Sequence, residues 1–78
     1  MKLTYDPRYN IAYLRLEDRT VQVETIHVGD QVNVDLTPDG KVYGIELLNA
    51  NEQLSGLAEG KLILENEATG ATIEVSLP

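Results

Sequence analysis

The chain has no cysteine and a single histidine, His27. The first absence excludes disulfides and thiolate metal sites, and the second excludes a histidine cluster for zinc. Basic residues are also scarce: six Lys and Arg stand against thirteen Asp and Glu, a net charge of −7. Lys2, Arg8, Arg15, Arg19, Lys41 and Lys61 are scattered among acids, whereas a nucleic-acid surface needs a clustered basic face. The balance argues against nucleic acid and against docking on an anionic membrane. It favours solubility and a basic protein partner. No apolar leader-like region follows Met1, and no run approaches the ~20 apolar residues of a membrane span. Cytoplasmic residence is the expectation. A chain of 78 residues buries only about 60% of the surface its unfolded form exposes. With disulfides and metals set aside, and no cofactor expected, oligomerisation remains as the source of extra stability.

What is present is a regular series of turn signals separated by short alternating segments, the mark of an antiparallel β chain. Lys2–Tyr5 and Ile11–Leu16 flank DPRYN, where Asp6-Pro7 suits a type I turn and Asn10 tolerates a left-handed backbone. A turn at Glu17-Asp18-Arg19 leads to a strand over Val21–Val28. Gly29-Asp30 then suits a two-residue hairpin that needs positive φ at the glycine. Val32–Leu36, the TPDG turn and Val42–Leu48 follow. Asn51 is placed to cap a short helical turn near 51–58, kept short by Gly56 and Gly60, with Leu54 and Leu57 on one side. Lys61–Glu65 and Thr72–Leu77 flank EATG as a last hairpin. The fold expected is mainly β, with an α+β variant open: about seven short antiparallel strands in successive hairpins and one helical turn, in a single domain over 1–78.

A three-residue PDG loop sets Thr37 opposite Lys41. Continued without interruption, that register places Leu36 against Val42 and Val34 against Gly44. Tyr43, Ile45 and Leu47 then fall on the other side, opposite Asp35, Asn33 and Gln31. Val42–Leu48 would be apolar on both faces, unlike a one-sided sheet in water. Cover is expected from the C-terminal hairpin and from a second subunit, with Tyr43, Gly44, Ile45 and Leu47 as the candidate contact. Ahead of Gly29, Val21 and Val23 run out of step with Ile26 and Val28, which calls for a bulge near Glu24–Ile26.

Two stretches, YDPRYNIAYLRLED and VGDQVNVDLTPDGKVYGIELLNAN, resemble the bacterial and archaeal family catalogued as domain of unknown function 2283, the YuzE-like group. Tyr5, Asp6, Tyr13, Leu14 and Leu16 match its Tyr-Asp…Tyr-(Ile/Leu)-x-Leu motif. Asp39, Gly40, Gly44, Ile45, Glu46, Leu48 and Ala50 match its Asp-Gly…Gly-Ile-Glu-(Ile/Leu)-Leu-x-Ala motif. The resemblance covers residues 1–50 as a family-like core and leaves 61–77 as an extra hairpin. Asn10 stands where the family's motif has aspartate. The family has no established activity, so the resemblance implies a fold and no reaction.

Candidate sites are few. Asp6 and Asn10 with Tyr5 and Tyr13 would make a polar pocket, although Asp-Pro is a turn former and tyrosines pack sheets. Asp35, Asp39 and Glu46 are the carboxylates for a hard cation, yet the Asp-x-Asp-x-Asp-Gly loop is absent. Glu46, in an apolar run, needs a partner if buried, and Arg15 is the one expected. His27 reads as an exposed strand residue rather than a general base. No nucleophile–base pair and no phosphate-cradling glycine loop is present. The expected function is a non-enzymatic interaction module that self-associates as a homodimer. An antitoxin-like partner of a small basic protein fits it. The competing reading is a small-molecule or metal-dependent enzyme with Asp35 and Glu46 at a subunit junction.

Overall fold

A computed structural model of the chain describes residues 1–55 and 60–76. It is mainly β, as the turn spacing predicts. The elements are β1 (Lys2–Asp6), β2 (Ile11–Arg15), β3 (Glu24–Gly29), β4 (Val32–Leu36), β5 (Val42–Leu48), the turn α1 (Ala50–Gln53), β6 (Lys61–Glu65) and β7 (Thr72–Ser76). Five strands form one antiparallel sheet in the order β1-β2-β5-β4-β3, and β6-β7 form a separate two-stranded sheet. The hairpins are therefore not laid down in simple succession. After β2 the chain crosses to the far edge and returns through β3, β4 and β5 until β5 lies beside β2, a Greek-key path. The crossing uses residues 16–23. Three strand spacings of about 4.8 Å are well within reach of a segment that length. Val21 and Val23 belong to this crossing and not to β3, which is why they run out of step with Ile26 and Val28.

Local turn chemistry follows the sequence closely. Asn10 sits at φ 56 and Gly40 at φ 86. The Thr37 N–H donates to the Lys41 carbonyl at 2.8 Å and the Gly40 N–H to the Thr37 carbonyl at 2.9 Å, closing the three-residue loop. In the last hairpin Gly70 takes φ 76 and its N–H reaches the Asn66 carbonyl at 2.8 Å. The β3–β4 turn differs from expectation. Gly29 pairs with Val32 as the last residue of β3, so the turn is Asp30-Gln31 and the glycine needs no positive φ. Asn49 rather than Asn51 stands at the N-cap position of the helical turn, without a capping bond from its side chain. Its expected extension to residue 58, with Gly56 and Leu57, lies outside the described residues, as does Leu77 at the end of the last strand.

Two bulges decide which side chains share a face. Val42 pairs with Leu36 but Gly44 pairs with Asp35, leaving Tyr43 as an extra residue. The uninterrupted register, with Val34 opposite Gly44, is thus corrected by one. A one-residue slip moves every later side chain to the opposite face. On β3 the shift lies between His27 and Gly29, at Val28, and not at Glu24–Ile26. With both bulges in place, Leu3, Leu14, Ile45, Val34 and Ile26 form one row across all five strands, and Tyr5, Ala12, Leu47 and Val32 form a second. The opposite face carries Thr4, Tyr13, Glu46, Asn33 and His27 in one row and Lys2, Arg15, Gly44, Asp35 and Thr25 in the other. On β5 this sets Ile45 and Leu47 on the apolar face, and Gly44, Glu46 and Leu48 on the other.

The apolar face has no second layer within the described chain. Among the described residues only Ala12 and Ala50 are fully buried hydrophobics, and Ile26 remains 44% exposed. The C-terminal hairpin does not provide the expected cover. Its own apolar side, with Leu62 opposite Val75 and Leu64 opposite Ile73, is open, from 42% exposed at Val75 to 63% at Ile73. No helix among the described residues is long and apolar enough to cross a membrane.

Candidate functional site

The polar face of the sheet holds two side-chain networks, and a missing side chain makes the first of them possible. Tyr13 on β2 lies diagonally across from Gly44 on β5, and its ring passes over the glycine so closely that a β-carbon there would fall inside the phenol. Crossing β5 this way, the Tyr13 hydroxyl reaches β4 and donates to Asp35 Oδ2 at 2.7 Å. The Thr25 hydroxyl, from β3, donates to Asp35 Oδ1 at 2.6 Å. Three strands, β2, β3 and β4, are tied together through one carboxylate, with β5 crossed by the Tyr13 ring. Burial pushes the Tyr13 phenol above the ordinary tyrosine range, and the hydrogen bond to Asp35 and the negative charge there push it further.

Beside this lies a second chain of polar groups. Asn33 Nδ2 donates to Glu46 Oε1 at 2.9 Å, while Asn33 Oδ1 is bonded to His27 Nδ1. A carboxylate can only accept, so it orients the Asn33 amide and turns the amide oxygen towards His27. With the amide oxygen as acceptor, His27 Nδ1–H is the donor in this pair. Glu46 therefore finds its partner in Asn33 and not in Arg15, and it lies on the polar face rather than with Val32 and Val34. Arg15 is left with a buried Nε that has no hydrogen-bond partner.

The other expected sites come apart. Tyr5 lies on the apolar face and Tyr13 on the polar one, so they share no pocket. The Tyr5 hydroxyl instead donates to Asn10 Oδ1 at 3.2 Å. Asn10 Nδ2 donates to Asn51 Oδ1 at 2.7 Å and Asn49 Oδ1 at 3.2 Å, and Asn10 Oδ1 accepts the Asn51 N–H at 2.9 Å. Asn10 thus clamps the entry to α1, with two donations an aspartate could not make. Asp6 is engaged by Arg8 through Nη2 at 2.9 Å, Nε at 3.1 Å and the backbone N–H at 2.9 Å. That pairing holds its carboxyl below the usual carboxylate range. Asp39 is bonded by the Thr37 hydroxyl within the turn, which lowers its pKa. Among the described residues no three His, Asp or Glu side chains gather as metal ligands.

The four candidate contact residues divide. Ile45 and Leu47 lie on the apolar face, Gly44 lies under Tyr13, and Tyr43 lines a polar-face hollow with Lys2, Thr4, Tyr13 and Arg15. Sequence reasoning missed Thr25, Asn33 and the reach of Tyr13. The available signal was Gly44 itself, because a strand glycine invites an aromatic ring from a neighbouring strand.

A family described as "Protein of unknown function (DUF2283)" matches residues 2–51, which takes in β1 to β5 and the start of α1. No curated protein matches the chain, and no solved structure does.

Proposed function

The chain belongs to the family of proteins of unknown function DUF2283, and we propose that it works as a protein-interaction module that first pairs with a second copy of itself. One observation carries the reading. The row Leu3, Leu14, Ile45, Val34 and Ile26 crosses the whole sheet, and none of the described residues forms a layer over it. A sheet with one apolar face is stable in water when that face is packed against another layer. A two-fold pairing of like faces supplies the layer, and closed dimers of this kind are the commonest assembly. The partner beyond the dimer is a basic protein. The net charge of −7 supports that choice, as does the pairing of four of the six cations with the chain's own acids. Asp35 and Glu46 serve this reading as hydrogen-bond acceptors that hold the sheet's polar face, not as an acidic catalytic site.

Sedimentation at micromolar concentration tests the pairing. The wild type is expected to run as a dimer or larger. Ile45→Asp, which puts a charge in the centre of the row, is expected to yield smaller species or unfolded chain. A wild type that is a stable, folded 8.6 kDa monomer overturns the proposal.

A further inference from the structure

Four of the six basic side chains are paired with acids: Arg8 with Asp6, Arg19 with Glu17, Lys41 with Asp39 and Lys61 with Glu74. The two that have no acidic partner among the described residues, Lys2 and Arg15, stand directly opposite each other on β1 and β2. Like charges in that position repel and weaken the strand pair. In a chain with thirteen acids, both cations are nevertheless kept free of carboxylates. They line an open hollow of about 240 Å³ with Thr4, Tyr13 and Tyr43, and no acidic residue lines it. The Arg15 Nε is buried there with no hydrogen-bond partner. Asp35 lies two positions along the same cross-strand row, but the Tyr13 ring fills the space over the intervening Gly44 and its hydroxyl engages Asp35. Arg15 is thereby cut off from the nearest acid on its row.

We propose that the hollow between Lys2 and Arg15 is a binding site for a small phosphate monoester. Two uncompensated cations match a dianion, whereas a carboxylate leaves one of them unpaired. A guanidinium presents its donors in a fork that suits phosphate oxygens, and an ammonium adds a point charge beside it. The Tyr43 hydroxyl, which has no hydrogen-bond partner among the described residues, is a further donor. Tyr13 offers its ring rather than its hydroxyl, so the site has an apolar wall for the organic part of the ester. The hollow is on the face opposite the apolar rows, so this inference neither rests on the dimer nor fails with it.

Calorimetric titration of the full chain at low salt tests it, with phenyl phosphate, inorganic phosphate and benzoate as probes. Phenyl phosphate is expected to bind one per chain with a Kd on the order of 0.1–1 mM. Inorganic phosphate should compete for the same site, and benzoate should bind at least about tenfold more weakly. Arg15→Gln and Lys2→Gln should each weaken phenyl phosphate about tenfold or more, while Arg19→Gln leaves it unchanged. Lys2→Gln also guards against misfolding, because relief of the repulsion should leave the ligand-free melting temperature unchanged or raised. Absence of binding by either phosphate overturns the proposal. So does benzoate binding as tightly as phenyl phosphate, or an equal loss in Arg19→Gln.

Discussion

Gly44 and Tyr13 act as one unit. A strand glycine normally weakens a sheet, and a β-carbon there would favour the strand if the space above were open. Here the space holds the Tyr13 ring, so Gly44→Ala is expected to lower stability by about 1–3 kcal/mol through overpacking. In a Tyr13→Ala background the same change should be neutral or stabilising. Urea unfolding of the four proteins gives the coupling directly, and additive effects would mean the ring does not lie over Gly44. The phenol also predicts a pH response. Its pKa is raised in the folded chain above the ordinary value of ~10. Below pH ~10 the hydroxyl is protonated in both states and its contribution to stability is fully present. Above that, the unfolded chain loses the proton first and stability falls with rising pH. Thermal melts between about pH 9 and 11 should show a decline that Tyr13→Phe makes shallower.

At the scale of elements, the five-stranded sheet and the C-terminal hairpin differ in how they are held. β5 is flanked on both sides, by β2 and by β4, and carries Gly44 and Glu46 of the polar network. β6 and β7 pair only with each other, and every residue of both strands is exposed. A lone two-stranded hairpin is marginal in water. Hydrogen exchange should therefore find the β5 amides slowest and those of β6 and β7 fastest, near the rate of free chain. Protection of β6 and β7 equal to that of β5 would show that their apolar side, with Leu62, Leu64, Ile73 and Val75, is covered in solution. The turns between elements were the most legible features. Asn10 and Gly40 announce a left-handed backbone because that preference belongs to a single residue and needs no partner.

The whole molecule is a sheet whose two faces have different assignments. The apolar rows await a layer that the described chain does not supply, and the polar face carries the Tyr13–Asp35–Thr25 and His27–Asn33–Glu46 networks beside the Lys2–Arg15 hollow. If a second copy provides the missing layer, folding and association are one equilibrium, and the melting temperature should rise with protein concentration. The dimer and the anion site can then be tested separately because they use opposite faces. Ile45→Asp addresses one, and Arg15→Gln the other.

The mainly β class, the number of strands and the turns at Asn10, Gly40 and Gly70 were legible in the sequence alone, because alternation and turn preference are properties of one to four neighbouring residues. The tertiary structure decided the bulges at Tyr43 and Val28 and the placement of β5 beside β2. No local signal encodes a bulge. Without the one at Tyr43, Glu46 would share a face with Val34 while Ile45 faced Asn33, and it is the gain from gathering the apolar side chains into continuous rows that selects the extra residue. That choice set Asp35 beside Gly44 and Asn33 beside Glu46, while the placement of β5 beside β2 laid Tyr13 over Gly44.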